Sequence, residues 1–386
     1  MNDSPSRSLA SELHAMRMAF PPELFGGAHW ERLLARAAEV PAAALESAFG
    51  FEVNLGRPEP AADFCIVVPA GGELASHFME LARSDVCGAT RTASPARTGC
   101  PRADADSTAG RRGADRECLA ACLREIASAG TFANRAIVNG VTMLEYDVIG
   151  PRPGSRPSPG VFWSLADTFE PSQVGEVARL LAIASGLQAT CGAREEPAAD
   201  APREADWAAA LRDVVEAATP HGRISQAGTF VGRDRSAVRV IVGRLEREGA
   251  AHLLDAVGWP GPVGVAMDAI ASCALPGTRL AVALDVGPGG VGPRLGLELG
   301  MPGGWADARW RHWRAVLDTL AGRGWCRADK ARGLKRWCGL TRLFGRRMHL
   351  LAKGINHVKI GVRKDAVEVK AYLGACRRRA ADMDLR

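Results

Sequence analysis

NHVKIGVRKDAVEVKAYLG, residues 356–374, decides the fold. Its two arms, NHVKIGVRK and AVEVKAYLG, alternate aliphatic with polar residues at period two, and the polar pair Lys364 and Asp365 stands between them. That is the pattern of an antiparallel hairpin with one greasy and one charged face. Val358 and Ile360 share the first face, while Lys359 shares the second with His357. Lys370 and Tyr372 share one face of the returning arm.

The pattern recurs upstream. VTMLEYDVIG (141–150) and GVFWSLA (160–166) flank a Pro/Gly-rich turn. ISQAGTFVGR (224–233) and AVRVIVGRLE (237–246) flank a polar turn at Asp234 to Ser236, and RLAVALDVG (279–287) and PRLGLELGM (293–301) flank PGGVG. FCIVVPA (64–70) reads as the remaining strand of a first, degraded unit. Between these lie helical stretches, among them PSQVGEVARLLAIASG, WAAALRDVVEAAT, PVGVAMDAIASCAL and WADARWRHWRAVLDTLAGRG. Paired strands separated each time by one or two helices argue against a doubly wound parallel sheet, which places single strands between helices. The class is α+β. Five helix-strand-strand-helix units joined edge to edge predict a ten-stranded antiparallel β-barrel ringed by helices, in which closure removes the unpaired edges. An open antiparallel sheet covered on one face is the alternative.

Residues 1–60 read as an N-terminal helical segment, 61–375 as the repeated domain and 376–386 as a basic tail. Two stretches lack large apolar residues and are expected to stand outside the core, an insertion at 84–116 and an Ala/Pro/Glu-rich linker at 191–205. Of 386 residues, 47% are hydrophobic and 24% charged, which excludes a disordered chain. No apolar run reaches the roughly 18 residues of a membrane span, and the N-terminus lacks the apolar block of a secretory signal, so a cytoplasmic location is expected. The ten cysteines show no paired C-x₂-C spacing and read as reduced thiols, although Cys87, Cys100, Cys118 and Cys122 fall close together.

The net charge of +6 is unevenly spread. From Arg323 onward there are 18 Lys and Arg against 5 Asp and Glu, a surplus of 13, which leaves the preceding chain at −7. With helices outside, the charged strand faces point into the barrel and make a polar lumen. It would hold Glu145 with Asp147, Arg239, Asp285, Arg294, Glu298, His357 with Lys359, and Lys370 with Tyr372. Tyr146 falls on the face opposite Glu145.

Repeated helix-strand-strand-helix units with the Lys370-Ala371-Tyr372 strand and the strand cations Arg239 and Lys359 resemble the aromatic prenyltransferases of the ABBA barrel class. The resemblance implies a transferase of specialised metabolism that moves a prenyl group from an allylic diphosphate to an aromatic or peptide acceptor. It assigns the diphosphate to Arg239, Lys359, Lys370 and Tyr372, and the orienting carboxylate to Glu145. Arg294 and His357 join the substrate-binding set by their place in the same hairpins, and His357 is also a candidate acid or base.

The sequence departs from that family where its first and third hairpins carry Glu145, Asp147, Asp285 and Glu298. Four lumen carboxylates would repel a diphosphate unless Mg²⁺ intervened, and they define an alternative divalent-metal site. A non-catalytic barrel that captures an acidic peptide or a partner enzyme is a further reading. Nucleic acid is disfavoured by the absence of a reading helix. No phosphate loop, H-E-x-x-H or G-x-S-x-G pattern is present. Asp104 and Asp106 lie in the insertion, and the Trp305, Trp310 and Trp313 group reads as a packing face.

Overall fold

The computed structural model describes residues 8–47, 49–81, 108–128, 130–131, 133–134, 137–148, 159–166, 169–184, 204–230, 237–301, 310–343, 349–364 and 366–379. Eleven strands occur in them: β1 (Phe49–Asn54), β2 (Ala62–Pro69), β3 (Ile137–Tyr146), β4 (Gly160–Leu165), β5 (Arg223–Phe230), β6 (Val238–Leu245), β7 (Arg279–Gly287), β8 (Gly290–Gly300), β9 (Gly339–Leu343), β10 (His349–Arg363) and β11 (Ala366–Arg379). Each strand from β1 to β8 pairs antiparallel with the next, β8 pairs with β10, and β10 pairs with β11. β11 then pairs with β1, from Phe49↔Ala375 to Asn54↔Lys370, and this closes a ten-stranded barrel. The short β9 lies outside the ring, on the free end of β10.

The closure selects the barrel over the open sheet. Two helices stand between successive hairpins, for example Arg247–Ala256 and Val263–Cys273 between β6 and β7. The alternation in the strands decides which face they cover. Leu297, Leu299, Val358, Ile360, Val369 and Ala371 are all buried in one continuous hydrophobic core with the helices. Truncating one such Leu or Ile costs about 2–5 kcal/mol, so the alternation fixes the strand register firmly. Pro288 and Gly289 make the two-residue turn between β7 and β8, and Gly290, at φ +94°, has a backbone that an L side chain rarely adopts.

Several boundaries differ from the sequence-based expectation. The segment 1–60 is not helical throughout, because Phe49–Asn54 is a barrel strand in which Phe49, Phe51 and Val53 are buried outward and Gly50, Glu52 and Asn54 face the other way. FCIVVPA therefore belongs to a complete first hairpin. The end of the supposed insertion is helical: Thr108–Ala127 is one helix, and Cys118, Leu119, Cys122, Leu123 and Ile126 bury a stripe at helical spacing. Residues 84–107, with Cys87, Cys100, Asp104 and Asp106, lie outside the described residues. So do 191–203, while Glu204 and Ala205 open the helix Glu204–Ala218. Cys376–Arg379 are not a detached tail but the last residues of β11, paired with His349–Ala352. Trp313 is buried at 4% exposure, as a packing role requires, whereas Trp305 is outside the described residues.

Candidate functional site

Strand register places the charged side chains on one inner surface. Residues directly opposite on neighbouring strands share a face. The rows Asp63↔Glu52↔Tyr372↔His357, Ala281↔Glu298↔Lys359↔Lys370↔Asn54 and Gly228↔Arg239↔Asp285 therefore all project into the lumen. Their chain neighbours, such as Val240, Leu297 and Val358, belong to the outer core.

Four cations converge. Arg239, Arg294, Lys359 and Lys370, from β6, β8, β10 and β11, line one pocket with Ala283, Gly296, Gly361 and Glu368. Its volume is about 290 Å³, counting the space open to solvent at its mouth. The enclosed free space is only about 10 Å³, room for roughly one water molecule, because the cations and their counter-ions fill the rest. Gly296 makes the room: a Cβ there would stand 2.3 Å from Lys359 Cε.

Three of these cations hold a carboxylate. Arg239 donates two hydrogen bonds to Asp285, from Nε at 2.8 Å and from Nη2 at 3.1 Å, and its guanidinium lies 4.7 Å from the Phe230 ring centre. Lys359 Nζ donates to Glu298 Oε1 at 2.8 Å. Lys370 Nζ donates to Glu52 Oε1 at 2.5 Å, and the Tyr372 hydroxyl donates to Glu52 Oε2. Arg294 is different. Half-buried, it has no carboxylate within ion-pairing distance among the described residues, and burial together with the nearby Arg239 charge lowers its pKa. It is the pocket cation most in need of an anion.

One layer away, the His357 ring stacks on Tyr372 with centroids 4.2 Å apart and planes 15° from parallel. Its Nε2 is buried without a hydrogen bond, 4.0 Å from Glu298. Burial lowers the His357 pKa against the opposing pull of Glu298, so the imidazole is held toward its neutral form. Glu145 faces Cys65 of β2, away from the pocket lining. Tyr146 is on the outer face as expected, stacked on Phe64 at 4.7 Å.

The alternative metal set does not assemble. Asp285 is engaged by Arg239 and Glu298 by Lys359, and among the described residues no group of three His, Cys, Asp or Glu side chains has the geometry to hold an ion. Two of the carboxylates read from the hairpins as a barrier to a diphosphate, Asp285 and Glu298, are counter-ions to Arg239 and Lys359.

Sequence reasoning missed Glu52, Asp63, Cys65 and Glu368. Glu52 lay in FEV and Asp63 in ADF, each between outward-facing residues, so the same period-two signal could have found both. Burial opposes ionisation of Glu52, but the Lys370 ammonium and the two hydrogen bonds hold its carboxyl down at about 2. Asp63 goes the other way. Burial and the Glu52 carboxylate raise it to about 7, with Asp147 adding to the rise. Cys65 is pushed up to about 12 by burial and by Glu145 and Glu52, so its thiol is neutral.

The lumen thus carries cations on β6, β8, β10 and β11, and acid on β2 and at the end of β3. The class defined by this architecture is a closed ten-stranded antiparallel barrel ringed by helices, with a charged interior. The chain matches no protein-family model and no curated protein. Among the described residues no helix is long and apolar enough to cross a membrane.

Proposed function

We propose that the barrel is a transferase that seats an allylic diphosphate on Arg239, Arg294, Lys359 and Lys370 and passes the prenyl group to an aromatic or peptide acceptor. The observation that carries this reading is the convergence of four cations in one lumen pocket, with Arg294 lacking a carboxylate partner among the described residues. Ionising the C–O bond of an allylic diphosphate leaves negative charge on the departing group, and fixed cations in a water-poor site stabilise that charge by several kcal/mol. The Tyr372, His357 and Phe230 rings supply π faces for the allylic cation. Glu145, on the acidic arc, orients the acceptor.

Arg239, Lys359 and Lys370 already carry counter-ions, and this favours one competing reading, a barrel that binds an acidic group without reaction. Calorimetric titration with dimethylallyl diphosphate, with and without Mg²⁺, followed by transfer assays on phenol and indole acceptors, separates the two. The proposal expects binding that Arg294→Ala weakens at least tenfold, and transfer that Glu145→Gln slows without loss of that binding. Binding without transfer favours the competing reading. No heat of binding in either condition refutes both diphosphate capture and prenyl transfer.

A further inference from the structure

Three cations of the lumen pocket are already neutralised, Arg239 by Asp285, Lys359 by Glu298 and Lys370 by Glu52. The positive charge left over lies at the mouth. Antiparallel order puts the hairpin turns at one end of the barrel, where Arg294 follows the β7–β8 turn and Arg363 ends β10 just before the β10–β11 turn. Val362 pairs with Leu295, so one step nearer the turns Arg363 and Arg294 stand across from each other on neighbouring strands. By alternation both fall on the inner side, with Gly361 and Gly296 of the pocket lining. Burial, Arg239 and then Arg363 act to lower the Arg294 pKa, so the two guanidiniums lie within each other's field. Like charges directly opposite each other weaken a sheet, and among the described residues neither arginine has a carboxylate within ion-pairing distance. The residue opposite Arg363 on β11 is Ala366. Glu368, the carboxylate of the pocket lining, is engaged elsewhere, by Asn54 Nδ2 at 2.6 Å and Arg57 Nη2 at 3.5 Å.

We infer that Arg294 and Arg363 form a clamp at the mouth of the barrel that grips a phosphate group, with Arg363 a binding residue beyond the pocket lining described above. The chemistry follows from charge and shape. Each guanidinium presents a planar fork of N–H donors. A single carboxylate fills one fork, whereas a terminal phosphate, with three oxygens and about two negative charges, fills both. Opposed residues on neighbouring strands have Cβ atoms roughly 5 Å apart, so two arginine side chains can close on one phosphate. The mouth also has the room, being open to solvent, while the enclosed space behind it is about 10 Å³. For a diphosphate as the natural ligand the inference rests on the prenyl-transfer reading above; the clamp itself needs no transfer.

Calorimetric titration of the full chain with inorganic diphosphate tests the clamp directly. Arg363→Gln should weaken binding by about tenfold or more, and acetate at the same concentration should give no binding. Arg363→Lys keeps the charge but loses the fork, so it should recover only part of the loss. Lys364→Gln removes an exposed charge from the next position, which points to the other side of β10, and should change the affinity by less than about threefold. Arg363 is itself exposed, and its removal relieves the opposed charges. Without anion, Arg363→Gln should therefore unfold in urea at a midpoint no lower than the wild type. Inorganic diphosphate should raise the wild-type midpoint and raise that of the variant less.

Equal affinities of wild type and Arg363→Gln for inorganic diphosphate overturn the inference, as does the absence of binding by the wild type. Equal losses in Arg363→Gln and Lys364→Gln also overturn it, because they reveal a diffuse positive field in place of a clamp. A lowered unfolding midpoint for Arg363→Gln without anion would make Arg363 a structural partner and has the same force. The expected pattern with inorganic diphosphate, joined to no transfer from dimethylallyl diphosphate, removes the prenyl-transfer reading and leaves the clamp standing. Transfer from dimethylallyl diphosphate with a KM that Arg363→Gln does not change removes the clamp and leaves that reading standing.

Discussion

Replacing Lys370 by Met removes one charge from the middle of the barrel and leaves its partner behind. The two side chains are 18% and 16% exposed, with Nζ and Oε1 2.5 Å apart. Glu52 is held from an ordinary 4.5 down to about 2, which at about 1.36 kcal/mol per pH unit corresponds to ~3 kcal/mol of favourable interaction. Losing one member of a buried pair costs about 3–5 kcal/mol, so both routes agree. Urea unfolding at pH 7, followed by tryptophan fluorescence, should show Lys370→Met destabilised by ~3 kcal/mol or more. Glu52→Gln combined with Lys370→Met should recover most of it, since no uncompensated charge then remains.

The pH dependence supplies a second check. In the wild type the Glu52 contribution is fully present above the unfolded pKa and is lost as pH falls through about 2. In Lys370→Met, burial acts with less opposition and raises the Glu52 pKa, so the penalty is relieved as pH falls through that raised value. The gap between the two proteins should therefore narrow on acidification. A cost below about 1 kcal/mol, or a double variant as unstable as the single one, would refute the assignment of Lys370 to Glu52.

Gly296→Val should push the Lys359 stem off β8 and weaken dimethylallyl diphosphate binding at least tenfold. Gly300→Ala, whose Cβ would keep 3.8 Å from the nearest atom, should leave it unchanged. Equal calorimetric affinities for the two variants would show that Lys359 does not touch the anion. Lys353 is 6% exposed, donates to the Ala19 carbonyl at 2.7 Å, and is lowered by burial to about 8. Below that pH the lysine is charged in both states and the burial penalty is complete. Between about 8 and 10.5 the native state releases its proton first, so wild-type stability should gain up to ~3 kcal/mol relative to Lys353→Met, measured by urea unfolding at pH 7.5 and 10. Parallel curves would refute this.

The barrel was legible because its hairpins repeat a period-two code that helices cannot satisfy. Val358 and Ile360 must face one way and Lys359 the other, whichever strand pairs with them. The convergence of Arg239, Arg294, Lys359 and Lys370 followed only once the order of strands was known, since residues 131 positions apart meet through closure. β1 escaped because Phe49–Asn54 continues directly from an Ala-rich helical stretch, and with it went Glu52, the partner of Lys370 and Tyr372. The carboxylates were recognised but misjudged: sequence shows that Asp285 and Glu298 enter the lumen, whereas only the register reveals that Arg239 and Lys359 stand opposite them. Asp63 shows the converse. Its protonation depends on burial, on Glu52 of β1 and on Asp147 just beyond β3, which only the assembled barrel brings to it.

The β1–β11 seam has a consequence for the order of events in biosynthesis. Glu52 and Lys370 are 318 residues apart in the chain, so the first strand waits in the growing polypeptide for almost the whole protein to be made. During that interval the nascent sheet carries two bare edges, and its acidic inner arc is in water without its ammonium partner. Contacts of such separation are slow to form, and exposed edges invite pairing with other chains. The last hairpin is therefore both the site of two lumen cations and the latch of the ring. Substitutions that weaken it should reduce yield during synthesis more than they reduce the stability of molecules that have already closed.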